Sequence, residues 1–109
     1  MIKFSFYRNG DGKITRLQIK GHAGYAEEGH DIVCAAASTA LWMAMKGIEE
    51  QGLASLSYSE DDGFVDCHIG AERTSEADAI LKSLEITAFE LAKQFKKNIF
   101  IVSGEDLQG

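Results

Sequence analysis

Between Gly21 and Ala40 the chain reads GHAGYAEEGHDIVCAAASTA, and this stretch separates two periodicities. Before it, Thr15, Leu17 and Ile19 alternate with Arg16, Gln18 and Lys20, the period of two expected of a half-buried strand. After it, Val33, Ala37, Ala40, Ala44 and Ile48 recur at helical spacing, with Gly52 as a stop signal. A strand must therefore end and a long helix begin here, joined by a loop over 21–30 that holds three glycines and the pair Glu27-Glu28. Asp31 suits the N-cap of the helix, because its carboxylate can accept the N–H of Val33 or Cys34. The run Ala35-Ala36-Ala37-Ser38 lets another element approach the helix closely.

The rest of the chain extends this pattern. Ile2, Phe4 and Phe6 share one face of a first strand over 2–7, followed by Arg8-Asn9-Gly10-Asp11-Gly12. Asn-Gly predicts a type I′ hairpin turn, which needs φ > 0 at both central residues. Residues 13–20 return as the second strand. Leu56 to Ser59 reads as a short strand, turned by Glu60-Asp61-Asp62-Gly63 into another at 64–69. A second helix begins near Ser75, with Ile80, Leu84, Ala88, Leu91 and Phe95 on one face. Ile99-Phe100-Ile101-Val102 is apolar on both faces and reads as a buried closing strand. The order ββαββαβ predicts an α+β fold, a single domain over 1–109 with a mixed β-sheet packed against two helices. A chain of 109 residues suits one core.

A net charge of −6 argues against a nucleic-acid binder, since phosphate binding needs clustered Lys and Arg. The charge suits a basic protein or peptide partner, although solubility alone also explains it. No apolar run approaches the ~20 residues of a membrane span, and the first residues alternate like a strand instead of forming a signal peptide. These features predict a cytoplasmic protein without membrane attachment. Cys34 and Cys67 should then be reduced rather than bridged.

Cys34 falls in the first turn of the helix, where unpaired N–H groups and the helix dipole are expected to favour a reactive sulfur. His22, across the glycine-rich loop, is its natural base, so the pair reads as a nucleophile with its general base. The plainer reading of Cys34 is a small buried hydrophobe. Cys67 alternates with Val65 and Ile69, so it should point into the core and stay protonated, while His68 faces the other side with Phe64 and Asp66. Metal binding is the rival chemistry: His30 and Cys34 are four apart, and His22 or Cys67-His68 would complete a set. But His30 precedes the helix cap and no CxxC or HxxxH spacing occurs, so no metal and no cofactor is expected. Asp31 could orient His22, though capping already explains it. Ser38 lies one helical turn beyond Cys34 and is given a supporting role. Backbone N–H groups at the helix start are candidates for stabilising an oxyanion. The 21–30 loop, with little apolar surface to bury, is expected to be mobile.

Gly21-His22-Ala23, followed by Gly29-His30-Asp31-Ile32-Val33-Cys34-Ala35-Ala36 and Ser38, closely resembles the ribosomal-processing cysteine protease family, Prp. The resemblance covers the chain's length, its opening hairpin and its order of elements. It implies a small bacterial endopeptidase, usually a homodimer, that removes a short N-terminal extension from a large-subunit ribosomal protein, the bacterial one numbered twenty-seven. Residue by residue, His22 matches the family's catalytic histidine and Cys34 its nucleophile. Asp31 and Ser38 match supporting positions, and Gly21 starts a loop that must move for substrate to enter. Glu27 and Glu28 would then help capture a basic ribosomal-protein tail. The alternative class is a non-catalytic ribosome-assembly binding protein of the same fold, whose cysteine is structural.

Overall fold

Alternation, caps and turn residues resolve into seven elements in the expected order, in a computed structural model that describes residues 1–22, 24 and 31–105. These are β1 (Ile2–Arg8), β2 (Ile14–Lys20), α1 (Ile32–Glu50), β3 (Ala54–Asp61), β4 (Phe64–Arg73), α2 (Ser75–Gln94) and β5 (Ile99–Glu105). The five strands form one sheet in the order β3-β4-β2-β1-β5. β5 runs parallel to β1, and the other pairings are antiparallel. The mixed α+β architecture is as the sequence predicts.

One face of the sheet carries the core. Phe4 and Phe6 of β1, Leu17 of β2, Cys67 of β4 and Ile99 of β5 are buried together with Val33, Leu41 and Ile48 of α1 and Leu81 and Ala88 of α2. Truncating either phenylalanine to Ala would cost roughly 3–5 kcal/mol, because the lost contacts leave a cavity that close-packed neighbours fill only in part. In α1 the buried stripe runs through Leu41 and Met45, whereas Ala40 is only partly buried. By length and composition α1 is apolar enough to cross a bilayer, a property the sequence reading did not credit. Here its stripe is buried in the core between α2 and the sheet.

Both ends of α1 are fixed. Asp31 Oδ1 accepts the N–H groups of Val33 (2.9 Å) and Cys34 (3.0 Å). At the other end Gly52, at φ +66°, donates to Glu49, and Leu53 donates to Ile48. That pair of bonds is a Schellman motif, whose left-handed residue glycine adopts without steric cost. α2 starts from Thr74, whose hydroxyl accepts the Ala77 N–H, and carries Glu76 and Asp78 against the positive end of its dipole.

Three local expectations need correction. The turn after β1 is not type I′, because neither Asn9 nor Gly10 has positive φ and only Gly12 does, at +78°. The Asn9 side chain accepts the N–H groups of Asp11 and Lys13, and this local bonding stabilises a wider loop. β3 and β4 extend to Ala54 and Arg73, since antiparallel pairing continues past the apolar residues that signalled them. β5 is an edge strand, not a buried closing strand: Ile99 is buried, but Phe100 is exposed and Ile101 and Val102 are half-buried.

Glu85 is a buried charge that periodicity does not reveal. It lies on the inward side of α2, where one guanidinium nitrogen of Arg8 bridges its two oxygens at 2.5 and 2.6 Å. Lys82 adds a longer contact at 3.4 Å. Burial by itself would raise the Glu85 carboxyl, but hydrogen bonds and charge from Arg8 and Lys82 outweigh it and hold the group below its ordinary range. The carboxylate is thus favoured more in the folded chain than in the unfolded one. Its stabilisation is complete above the unfolded value of about 4.3 and is lost as pH falls through the depressed folded value. Glu85→Gln should therefore cost about 1–3 kcal/mol at pH 7, and the difference from wild type should shrink below pH 4. Urea unfolding at the two pH values checks this.

Candidate active site

The register of β2 on β4 builds the first wall of the site. Lys20 pairs with Phe64, and the next residue, Gly21, continues the ladder by donating its N–H to the Gly63 carbonyl at 2.7 Å. Gly21 has to be glycine for two reasons. Its φ is +98°, and a Cβ there would overlap the carbonyl oxygen of Met1. His22 therefore emerges beside the β3–β4 turn. A Cβ on Gly63, itself at φ +69°, would lie 2.8 Å from His22 Nε2 and 3.3 Å from Cδ2 and Cε1. Asp62 Oδ1 stands 3.9 Å from the same nitrogen.

The second wall is the start of α1. Cys34 is half-buried on its first turn, and Ser38 follows on the same side. His22, Asp31, Cys34 and Ser38 all line one open cleft of about 760 Å³, together with Gly21. The structure thus brings all five sequence-selected residues to one place. Ala23 and residues 25–30 lie outside the described residues, and with them the expectations made for Glu27, Glu28, His30 and loop mobility.

One expectation about this wall changes. Asp31 Oδ1 already takes the N–H groups of Val33 and Cys34, and its carbonyl takes that of Ala35. Of the amides at the helix start considered for an oxyanion, those of Val33, Cys34 and Ala35 are taken up in this conformation by the cap residue itself.

The site also contains residues that the sequence reading did not select. Glu60, Asp61, Asp62 and Gly63 line the cleft opposite α1, and Trp42 lines it from one turn beyond Ser38. The sequence signal for the first four was only that of a turn. Trp42 meets Tyr58 of β3 edge to face, with ring centroids 5.9 Å apart, which ties the helix wall to the sheet.

Cys67 occupies the opposite environment. It is fully buried, and burial together with the nearby Asp66 carboxylate pushes its thiol up to about 12. No disulfide joins it to Cys34. His68 faces the outer side of the sheet, half exposed, with Asp66 at 3.7 Å. A hydrogen bond from Arg16 holds the Asp66 carboxyl below its ordinary range against the effect of burial. Among the described residues no three His, Cys, Asp or Glu side chains gather as a ligand set.

Because attack by sulfur requires thiolate and access, alkylation should separate the two cysteines. Iodoacetamide at neutral pH is expected to modify Cys34 of the folded protein at least about tenfold faster than Cys67. Peptide mass mapping over time reads the ratio, and comparable rates would contradict the assignment.

The same fold occurs in known proteins. The family model described as Cysteine protease Prp matches residues 1–100. The Staphylococcus aureus protein named Ribosomal processing cysteine protease Prp is 31% identical over 103 residues, spanning 91% of this chain and 95% of that protein. A crystal structure of S. aureus Prp with a covalently linked product peptide superposes with a TM-score of 0.88 at 28% identity, covering 94% of this chain and 99% of that one. SMU.848 from Streptococcus mutans superposes with a TM-score of 0.79 at 25% identity, covering 97% and 96% of the two chains. The chain belongs to the cysteine protease Prp family and is a cysteine protease.

Proposed function

We propose that this protein is the endopeptidase that removes the N-terminal extension of the large-subunit ribosomal protein numbered twenty-seven, using His22 and Cys34 as a catalytic dyad. The observation that carries the reading is that these two residues, one just past the end of β2 and one in the first turn of α1, line one open cleft. S. aureus Prp, of the same fold, has been crystallised with a substrate peptide and with a covalently linked product peptide.

In the proposed reaction His22 accepts the Cys34 proton and the sulfur attacks the scissile carbonyl carbon. The resulting tetrahedral centre collapses as the C–N bond breaks, and His22 returns the proton to the departing amine. Water then hydrolyses the thioester, releasing the carboxylate product and restoring the thiol. Asp31 supports this chemistry by holding the first turn of α1, and with it the Cys34 backbone, in place. Ser38 supports the cleft wall, and Gly21 permits the backbone turn that brings His22 into it. The chemistry needs neither metal nor cofactor.

We place the enzyme in the cytoplasm, where its ribosomal substrate is made, with no role for membrane or nucleic acid. A homodimer follows from the family resemblance and is supported by the exposed apolar side chains Met43 of α1 and Ile86 and Phe89 of α2. The alternative of a non-catalytic binding protein with a structural cysteine fits Cys67 better than Cys34, since Cys67 alone is sealed in the core.

A synthetic peptide spanning the extension and the first residues of the host's ribosomal protein provides the test. Wild type should cleave it at one bond. Cys34→Ser and His22→Ala should each lose at least about 10³-fold in kcat/KM, while His68→Ala stays within a factor of two or so. Mass spectrometry of the products reads the bond. An intact peptide, or equal cleavage by Cys34→Ser, would overturn the proposal.

A further inference from the structure

We propose that the β3–β4 turn is a positioning element for the His22 imidazole: Gly63 is the flat surface against which the ring rests, and Asp62 is the carboxylate that faces Nε2. This deepens the dyad reading and rests on it for its catalytic consequence, but the contact itself stands on geometry. Gly63 is the one described glycine whose added Cβ would collide with a histidine, at 2.8 Å from Nε2. The ring occupies the volume that any other residue would fill. The turn and His22 are also tied through the backbone, since Gly21 N–H bonds to the Gly63 carbonyl.

Positioning matters here because His22 is otherwise weakly held. Its side chain is 56% exposed, so core packing does not fix its rotamer. Asp62 is still more exposed, at 83%, so its attraction for an imidazolium is that of a surface pair and is screened by solvent. The charged and titratable groups that line the same cleft among the described residues are Asp62 of the β3–β4 turn, Glu60 and Asp61 at the end of β3, Asp31 at the N-cap of α1 and Cys34 in its first turn. The Met1 nitrogen bonds to the His22 carbonyl and not to the ring. Asp62 thus faces Nε2 from the turn, and Gly63 sets the distance.

The test compares Gly63→Ala with Gly12→Ala. Both glycines have positive φ, at +69° and +78°, so both variants carry the same kind of backbone strain, but a Cβ on Gly12 meets nothing within 4 Å. Histidine resonances of both proteins are followed by NMR across pH, alongside peptide cleavage. Gly63→Ala should move the His22 ring resonances and lower kcat about 10–100-fold, with Gly12→Ala near wild type in both. Asp62→Asn, which leaves the glycine in place, should also move the His22 ring resonances and lower kcat by a smaller factor, about two- to fivefold, with KM little changed. The His68 ring resonances should be unmoved in all three variants. Unmoved His22 resonances in both Gly63→Ala and Asp62→Asn, or equal losses in Gly63→Ala and Gly12→Ala, would overturn the proposal. Moved resonances in a wild-type background that cleaves nothing would overturn the dyad reading while leaving the turn's hold on His22 intact.

Discussion

The hydrogen bond from the Gly21 N–H to the Gly63 carbonyl is worth about 1 kcal/mol by itself, and it marks the strand register on which the geometry of the cleft depends. It is the last rung of the β2–β4 ladder. Every rung before it, from Arg16 opposite His68 to Lys20 opposite Phe64, fixes which way the following residue points. A slip of one residue would turn the inner face of β2 outward and carry His22 away from α1. Burial of Leu17 and Ile19 resists such a slip far more strongly than the hydrogen bond does. The core therefore sets the register, and the register sets the histidine.

The two thiols illustrate how environment decides chemistry. Cys67 is surrounded by the core and next to a carboxylate, so its ionised form is penalised twice. Cys34 stands at a helix start on an open cleft, packed against the core on one side only. The same side chain is core filler in one place and stands on an open cleft in the other. Buried polarity is divided in a similar way: Glu85 is kept ionised by Arg8 far from the cleft and serves stability.

Much of this was legible in the sequence because the signals were local. Alternation in β1 and β2, the Asp31 cap, the Gly52 stop and the 3.6-residue stripe of α1 each depend on residues close in the chain, and each appears in the structure. So does the gathering of Gly21, His22, Asp31, Cys34 and Ser38, which the motif placed on two adjacent elements. What escaped was non-local. Neither the Asp61-Asp62-Gly63 turn as a cleft wall nor the Arg8–Glu85 pair leaves a mark on periodicity, since both arise from strand order. The edge position of β5 escaped for the same reason: an apolar tetrapeptide reads as buried until its neighbours are counted. The Asn9-Gly10 turn failed differently, because a side chain that can bond two backbone amides competes with the backbone's own preferred hairpin.

The cap on α1 has a consequence for how charge can develop in the cleft. Two main-chain amides, those of Val33 and Cys34, converge on a single carboxylate oxygen of Asp31. Those two amides are already engaged by that oxygen. An anionic oxygen formed beside Cys34 must either displace the resident one, letting the first turn loosen as the bond is made, or find its donors elsewhere along the cleft. The residue that secures the Cys34 backbone thus also competes for the amides of the first turn.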